Sequence, residues 1–261
     1  MRSPLIHRLR QWVGATPTTN AIRFVIITKN SAAWIGEILD AYGRFGISPK
    51  ILLDGFSTDQ TEEVLKKRCA DYHKVWPEYP RVEAVVRLIG DYVETPWAFR
   101  IDDDELPSRA LLRWIDRNLQ DLDCDVLGVP RRWLRLSQAG YCEYSNHPLL
   151  LYHEGTMDAQ WRVFRPGKVS YTTEIHTPGF VVGDAPVAPN TAYLVHFDWI
   201  IRSKQSRLSK IASYDLQTEG AGSFFRDLYV WEDAEMGSHR FERLETREFD
   251  RLSKRLQRVR A

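Results

Sequence analysis

The sequence contains little cysteine, almost no net charge and no long hydrophobic run. Its three cysteines, Cys69, Cys124 and Cys142, are odd in number and widely spaced, which fits neither a disulfide framework nor a zinc site and favours a reducing, cytoplasmic compartment. A formal net charge of +1 gives no overall attraction to nucleic acid, so we expect no stable nucleic-acid partner. No apolar run approaches the roughly 20 residues that cross a bilayer, and the first residues lack the apolar core of a secretory signal.

The composition is that of an ordinary globular protein, and the first 20 residues differ in pattern from the rest. The chain has 261 residues, of which 43% are hydrophobic and 27% charged, which is enough to bury a substantial core. Residues 1–13 place apolar and basic side chains on opposite faces of a helix, and a linker follows up to residue 20. We predict that 1–20 form an amphipathic segment that either docks on the core or associates weakly with a membrane surface, such as the inner membrane face.

The first half of the chain alternates apolar runs with helical patterns. Ile22–Thr28 is a nearly continuous run of β-branched and aromatic residues, typical of a strand buried on both faces of a parallel sheet. The predicted strands are 22–28, 50–53, 82–86 and 97–101, and the predicted helices are 31–45, 59–72 and 107–119. This alternation indicates βαβ units, so we predict an α/β fold whose doubly wound, mainly parallel sheet occupies 21–120.

The second half has shorter apolar runs between glycine, proline and asparagine residues. The predicted strands are 125–132, 141–144, 149–152, 161–165 and 168–171, and the predicted helices are 202–216 and 241–259. Residues 121–220 are therefore expected to form a small antiparallel extension of the same domain, with loops that suit an acceptor pocket. The remaining segment, 221–261, is predicted to be dominated by the long amphipathic helix.

Four consecutive acidic residues, Asp102–Glu105, follow the predicted strand at 97–101. Ligands bind at the carboxyl ends of strands in open α/β sheets, and acids crowded there repel one another unless a divalent cation is bound. Carboxylate oxygens suit Mg²⁺ or Mn²⁺. In an extended chain Asp102 and Asp104 share one face and Asp103 points away, so the first two are the metal candidates. A solvated acidic turn before a helix is the alternative.

Three motifs occur in order at the ends of predicted strands. Thr28-Lys29-Asn30 follows the first strand, Asp54-Gly55-Phe56-Ser57-Thr58-Asp59 follows the second, and Asp102-Asp103-Asp104 follows the fourth. The set resembles the family-2 glycosyltransferases of the GT-A fold, which carry a Thr-x-Asn turn, an Asp-Asp-Gly-Ser-Thr-Asp turn and an Asp-x-Asp metal motif. The chain departs from the family at Gly55 and Phe56, where the second acid of the middle motif is missing, so Asp54 must serve alone.

Two further matches resemble the lipopolysaccharide-type branch of that family. Trp161–Arg165 followed by Ile175-His176 matches an Arg-Leu-Phe-Arg and Val-His-Glu pair, and Val195-His196-Phe197 matches a late His-containing strand before a basic helix. The resemblance extends over roughly 22–214. It implies that the donor is bound by Thr28, Asn30, Asp54, Asp102 and Arg202. It also implies that Mn²⁺ or Mg²⁺ is held by Asp102, Asp104 and His196.

The resemblance implies a catalytic base that this chain does not carry at the usual place. Inverting transfer needs a carboxylate to deprotonate the acceptor hydroxyl, and the family's Glu after His is Thr177 here. Glu174, two residues before His176, is the first candidate base and Asp158 is the second.

The implied function is metal-dependent, inverting transfer of a sugar from a nucleoside diphosphate sugar to a hydroxyl acceptor such as a glycan or a lipid-linked glycan. Two alternatives remain. One is a sugar-phosphate nucleotidyltransferase, which has a related fold but a glycine-rich basic loop where this chain has Thr28–Ser31. The other is a catalytically impaired protein that only binds the nucleotide sugar, which the missing acid at Gly55 favours.

Overall fold

A mixed ten-stranded sheet forms the centre of the described chain. The computed structural model describes residues 21–68, 71–79, 82–145, 151–152, 156–172, 177–217, 219–232, 239–244 and 249–260. The predicted amphipathic segment at 1–20 lies outside the described residues.

The strands are β1 (Ile22–Thr28), β2 (Lys50–Asp54), β3 (Tyr72–Val75), β4 (Trp97–Asp102), β5 (Glu105–Pro107), β6 (Val126–Leu136), β7 (Cys142–Ser145), β8 (Leu151–Tyr152), β9 (Thr156–Met157), β10 (Ala159–Phe164), β11 (Leu194–His196) and β12 (Phe241–Arg243). The helices are α1 (Ile35–Arg44), α2 (Thr61–Arg68), α3 (Val82–Val86), α4 (Ile89–Tyr92), α5 (Arg109–Asn118), α6 (Asp198–Ile201), α7 (Lys204–Gln217), α8 (Ala221–Tyr229) and α9 (Asp250–Arg258).

The sheet has a parallel half and an antiparallel half. Its strand order is β12-β7-β6-β10-β4-β1-β2-β3, and β11 lies off this path between β5 and β6. The strands β4, β1, β2 and β3 pair in parallel, whereas β10 pairs antiparallel with both β4 and β6. The predicted α/β fold, with a parallel sheet and an antiparallel extension, is therefore confirmed.

Both faces of the parallel half are covered, as the sequence of β1 predicts. Phe24 and Ile26 pack into the cluster that contains residues of α1, α5 and α9, whereas Val25 and Ile27 pack into a second cluster with residues of α3 and α4. Because successive side chains of a strand point to opposite faces, a central strand with two buried faces needs an unbroken apolar run.

Serine side chains cap the starts of two helices. Ser108 caps α5 by accepting the Leu111 N–H at 3.1 Å, and Ser203 accepts the Ser206 N–H at 3.1 Å at the start of α7. After α1, Gly46 adopts a positive φ of 73°, a conformation in which glycine has no Cβ penalty.

Several predicted elements of the sheet and its edges were wrong. Val82–Val86 is the helix α3 rather than a strand. The parallel strand next to β2 is Tyr72–Val75, where the sequence predicts only the end of a helix at Tyr72. This five-residue segment at Val82–Val86, with four apolar residues and Glu83, is too short for periodicity to separate a buried strand from a buried helix. The predicted strand at 168–171 is reduced to an isolated bridge between Tyr171 and Phe180.

The predicted long helix at 241–259 was also wrong. Phe241–Arg243 is the edge strand β12, which pairs with β7, and the helix α9 begins at Asp250. The centroid of the Phe241 ring lies 3.2 Å from the Arg135 guanidinium carbon, so this segment is positioned by contacts with residues far away in sequence. Helix α8, at Ala221–Tyr229, was not predicted.

The sequence suggests neither a membrane-spanning helix nor a disulfide framework. In the described part of the chain, no helix is long and apolar enough to cross a membrane. The two cysteines in that part, Cys124 and Cys142, are both free.

Candidate functional site

A cavity of about 310 Å³ opens at the carboxyl edge of the parallel strands. Its lining includes residues at the ends of β1, β2 and β4, together with residues from β11 and α7. The predicted site residues that line this cavity are Asp54, Asp102, Asp104, His196 and Arg202. Carboxylates and cations that are distant in sequence are thus brought to one place.

Pairing of β5 with β11 brings Asp104 and His196 together. The chain leaves β4, turns at residues 103 and 104 and returns as β5, whose Glu105 pairs with His196. The Phe197 N–H also donates to the Asp104 carbonyl at 2.9 Å. Because Asp198 directly follows, the side chains of Asp104, His196 and Asp198 each place a ligand atom within 4.8 Å of the others, and all three are buried.

The chemistry of this cluster fits a divalent cation. His196 Nε2 lies 3.3 Å from Asp104 Oδ2, while His196 Nδ1 and Asp198 Oδ2 are buried and have no hydrogen-bond partner among the described residues. Buried polar atoms are rarely left unsatisfied in folded proteins. Burial opposes ionisation of Asp104, yet His196 holds the pKa of this carboxyl well below its usual range. Two carboxylates and an imidazole that converge in this way would hold Mn²⁺.

Two cations, Arg202 before α7 and Lys210 within it, line the cavity and contact Asp198. Asp198 Oδ1 accepts hydrogen bonds from Arg202 Nε at 2.9 Å and from Lys210 Nζ at 3.1 Å. Burial raises the cost of charging Asp198, but Lys210 and Arg202 keep its pKa below the ordinary value. Fixed cations beside a metal cluster are suited to stabilising the charge of a departing diphosphate.

Asp102 is engaged by arginines rather than by the cluster. Its Oδ1 accepts from Arg100 Nη2 at 2.7 Å, and Arg162 contacts both carboxylate oxygens. Despite burial, Arg100 and Arg162 hold the pKa of Asp102 well below its usual range. The expectation that Asp102 and Asp104 share one face assumed an extended chain, and the turn at 103 and 104 ends that alternation.

The Asp103 carboxylate connects the acidic turn to residues at and after the end of β1 through hydrogen bonds. It accepts hydrogen bonds from Thr28 Oγ1 at 2.7 Å, from Ser31 Oγ and from Trp34 Nε1 at 3.4 Å. Burial and the adjacent Asp104 raise the pKa of Asp103 to about 6. Thr28, predicted as a donor-binding residue, therefore directs its hydroxyl to the acidic turn.

Asn30 connects two loops at the rim. It adopts a φ of 52°, and its Oδ1 accepts the Thr58 N–H at 2.7 Å, which ties the loop after β1 to the loop after β2. Its predicted contact with the donor stays a prediction.

Asp54 lies on the cavity with its side chain only 3% exposed. Its Oδ2 is 3.3 Å from Lys29 Nζ, and its Oδ1 accepts the Phe56 N–H at 2.8 Å. A Cβ at position 55 would lie 2.5 Å from the Trp76 ring. Any side chain at position 55, including the second acid of the family motif, would therefore require Trp76 to move.

A second, larger cavity of about 820 Å³ adjoins the first and shares part of its lining, namely Arg100, Asp102, Arg131 and Tyr229. Asp158 lies in this larger cavity, where its carboxylate accepts from Arg131 Nε at 2.7 Å, Trp133 Nε1 at 3.0 Å and Gln160 Nε2 at 2.6 Å. Burial opposes its ionisation, but Arg131 and these hydrogen bonds lower the pKa of Asp158. A carboxylate with a lowered pKa and three donors is a weaker base.

The first candidate base, Glu174, lies outside the described residues. The described residues that flank it most closely, Thr172 and Thr177, both line the larger cavity.

Three charged residues had no predicted role, namely Asp198 in the cluster with Asp104 and His196, and Arg131 and Arg162 on the cavity linings. Asp198 resembles the first residue of a helix, and Arg131 lies inside a predicted strand without any motif. Arg162 belongs to a recognised motif, but nothing in that motif indicates its pairing with Asp102. A sequence signal existed only for Asp198, which follows His196 by two residues in an otherwise apolar stretch.

Comparison with protein-family models finds no match, and comparison with curated protein sequences finds none. Among solved structures the chain is similar to S. aureus TarS 1–349 in complex with UDP-GlcNAc, with 13% identity, a TM-score of 0.45 and coverage of 83% of this chain and 74% of that chain. It is also similar to glucosyl-3-phosphoglycerate synthase from Mycobacterium tuberculosis in complex with Mn²⁺, UDP and glucosyl-3-phosphoglycerate, with 16% identity and a TM-score of 0.36, over 46% of this chain and 47% of that chain.

A third similar structure is 4-diphosphocytidyl-2C-methyl-D-erythritol synthase from Anaerococcus prevotii, with 12% identity and a TM-score of 0.39, over 59% of this chain and 74% of that chain. At TM-scores below 0.5, these likenesses establish neither a family nor a function for this chain.

Proposed function

We propose that this protein is a metal-dependent, inverting glycosyltransferase of the GT-A type that uses a nucleoside diphosphate sugar as donor. The observation that carries the proposal is the buried group Asp104, His196 and Asp198 at the carboxyl edge of a parallel sheet, with Arg202 and Lys210 beside it. Metal ligands and fixed cations around one cavity are what a sugar diphosphate requires. The motif matches at Thr28–Asn30, Asp54–Asp59 and Asp102–Asp104 support assignment to family 2. Those at Trp161–Arg165, Ile175-His176 and Val195–Phe197 support its lipopolysaccharide-type branch.

Each side of the cavity has a role in the proposed binding mode. Asp54, buried at the end of β2, would accept a hydrogen bond from the base or ribose of the donor, and Lys29, whose Nζ lies 3.3 Å from Asp54 Oδ2, would help to orient that carboxylate. Arg202 and Lys210 would move part of their interaction from Asp198 to the departing diphosphate. A bound Mn²⁺ or Mg²⁺ would neutralise diphosphate charge, and its ligands would be Asp104, His196 and Asp198.

The acceptor hydroxyl would enter from the larger cavity, because the two cavities share Arg131 and Tyr229 on their linings. Glu174 is the proposed base that removes its proton. Asp158 serves in this scheme as the partner that orients Arg131, since its three donors leave it poorly disposed to accept a proton.

The proposed function is tested by nucleotide binding with and without metal. UDP, GDP and dTDP are each titrated in a thermal-shift assay with Mn²⁺, with Mg²⁺ and with EDTA, and donor hydrolysis is then measured for any nucleotide that binds. At 100 times its Kd a ligand stabilises by about 2.7 kcal/mol, which corresponds to a shift of roughly 5–10 °C for a chain of this size. Absence of any metal-dependent shift would contradict the proposal.

The same experiment separates the alternatives. A protein that binds nucleotide with Mn²⁺ but neither hydrolyses nor transfers the sugar is the catalytically impaired binding protein. Release of pyrophosphate from a nucleoside triphosphate and a sugar phosphate would instead identify a nucleotidyltransferase. The anomeric configuration of a transferred sugar, read by NMR, decides between inversion and retention.

A further inference from the structure

The larger cavity has a charge balance that restricts what it can bind. Its described charged residues are three arginines and two aspartates, and Glu105 lies buried behind them. Arg162 Nη2 contacts Glu105 Oε1 at 2.9 Å as well as Asp102, and Arg131 Nη1 contacts the same Glu105 oxygen at 3.1 Å. Arg131 is further held by Asp158, and Arg100 by Asp102. Three cations are therefore matched by three carboxylates.

This balance means that a ligand anion would meet no uncompensated positive charge from these residues. A phosphate or carboxylate entering the cavity would have to lose its water and either approach Asp158 and Asp102 or break an existing pair. Both outcomes are unfavourable, because separating a buried pair leaves one charge without a partner. The chain segments between 146 and 176 that fall outside the described residues contain no lysine or arginine.

The rest of the lining suits a ligand with both apolar and hydroxyl surfaces. One part is apolar and includes Trp161, Phe180, Val182 and Leu228. Another part carries amide and hydroxyl groups, from residues such as Gln160 and Tyr229. Sugar rings have apolar C–H faces and hydroxyl edges, so they match such a lining, and about 820 Å³ is within the usual range for pockets of small organic ligands.

We propose that the larger cavity takes an uncharged sugar unit as the acceptor, and that the Arg131–Asp158 pair excludes sugar phosphates and uronic acids. This rests on the proposed function, because the cavity is an acceptor site only if the adjoining one binds the donor. In the cavity, the pair acts as a neutral dipole that can both donate to and accept from hydroxyl groups. Removing the negative member converts it into a positive site.

The test compares matched saccharides that differ only in charge. Methyl glycosides of glucose, galactose and mannose are mixed with the corresponding uronic acids and 6-phosphates. Binding is then measured by saturation-transfer NMR with UDP and Mn²⁺ present. Competition between members of each pair gives the ratio of their affinities. For the native protein we expect signals from at least one neutral glycoside and none from its charged counterparts.

The variant Asp158→Asn makes the test specific to the pair. It keeps the side-chain shape and leaves the three arginines with only two carboxylates, so the group gains a net positive charge and the affinity ratio should shift towards the anionic saccharides by about tenfold or more. The matched control is Asp125→Asn, which changes the partner of Arg165 outside both cavities and should leave the ratio unchanged. Retained circular dichroism establishes that each variant is folded.

Two results would overturn the inference. One is a native protein that binds UDP with Mn²⁺ yet prefers the uronic acids or phosphates. The other is such a protein that binds no saccharide of the panel. Failure of UDP, GDP and dTDP to bind at all contradicts the proposed donor site instead, so the two proposals fail in distinguishable ways.

Discussion

Replacing Asp198 by asparagine separates two interpretations of the metal site. The Asp-x-Asp motif assigns the metal to Asp102 and Asp104, whereas the structure groups Asp104 with His196 and Asp198 and pairs Asp102 with arginines. Asp198→Asn and Asp102→Asn change charge by the same amount with little change in shape. Only the first removes a carboxylate from the cluster.

The expected magnitudes differ by more than the error of a titration. Altering a residue that only supports a metal ligand costs about 10–100-fold in metal affinity, so loss of a ligand carboxylate at Asp198 should cost at least ~100-fold, or about 2.8 kcal/mol. For Asp102→Asn we expect a change within about fivefold, or about 1 kcal/mol, because Asp102 lies outside the cluster and its charge is already paired with Arg100 and Arg162.

Fold stability responds to both changes and must be measured separately. Asp198 loses its charge towards Lys210 and Arg202, whose side chains are 27% and 24% exposed. The loss in free energy of unfolding should therefore lie below the roughly 3–5 kcal/mol seen when a fully buried pair is broken. Urea denaturation gives this quantity for each variant.

Calorimetric titration of Mn²⁺ in the presence of saturating UDP decides between the interpretations. The conditions are those in which both variants are folded, and Asp125→Asn serves as a control for a charge change elsewhere. The reasoning is refuted if Asp102→Asn lowers the Mn²⁺ affinity about 100-fold while Asp198→Asn keeps the native affinity.

Three further changes test the donor contact, the base and the cavity pair. Asp54→Asn should weaken nucleotide binding about tenfold while the response to Mn²⁺ persists, because it removes a charged acceptor and leaves the cluster intact; unchanged affinity in calorimetry contradicts this role. Glu174→Gln should lower turnover by about 10²–10⁴ with donor affinity retained and should remove the acidic limb of the pH–rate profile. If that variant is fully active and Asp158→Asn is not, the base is Asp158. Burial opposes its ionisation, but Arg131 lowers the folded-state pKa of Asp158 below its unfolded value near 3.9. Its carboxylate therefore stabilises the fold at neutral pH, and this contribution is lost as the pH falls through the lowered pKa. Asp158→Asn should accordingly flatten the decline in unfolding free energy below about pH 4, measured by urea titrations from pH 3 to 7.

The sequence predicted those elements whose pattern is set locally. Ile22–Thr28 is apolar throughout because both faces of β1 are covered, and Ser108 and Ser203 cap helices with their own side chains. The strand predicted at Val82–Val86 was wrong because a segment with only four apolar residues suits a buried helix as well as a buried strand. The helix predicted at Phe241–Arg243 was wrong because the secondary structure of this segment depends on its pairing with β7, which no local sequence pattern reveals.

The same limit applies to the site. Residues that lie at strand ends, such as Asp54 and Asp104, could be placed at the cavity from the order of strands alone. The partner of each charge could not be predicted. Asp102 sits two residues from Asp104 and in the same motif, yet Arg162 from the antiparallel half of the sheet pairs with it. The local sequence around Asp102 does not indicate which arginine from another strand will pair with it.

Asp198 shows how one pairing register decides the composition of a site. The sequence Phe197-Asp198-Trp199 resembles a helix start, where an acidic residue is common and is usually solvated. Here β11 pairs with β5 so that His196 lies opposite Glu105, and the Phe197 N–H reaches the Asp104 carbonyl. Shifting this pairing by one residue would turn His196 to the other face and carry Asp198 away from Asp104. The cluster therefore depends on the register between two three-residue strands. For this reason the candidate metal ligands follow from the folded sheet and not from the acidic motif alone.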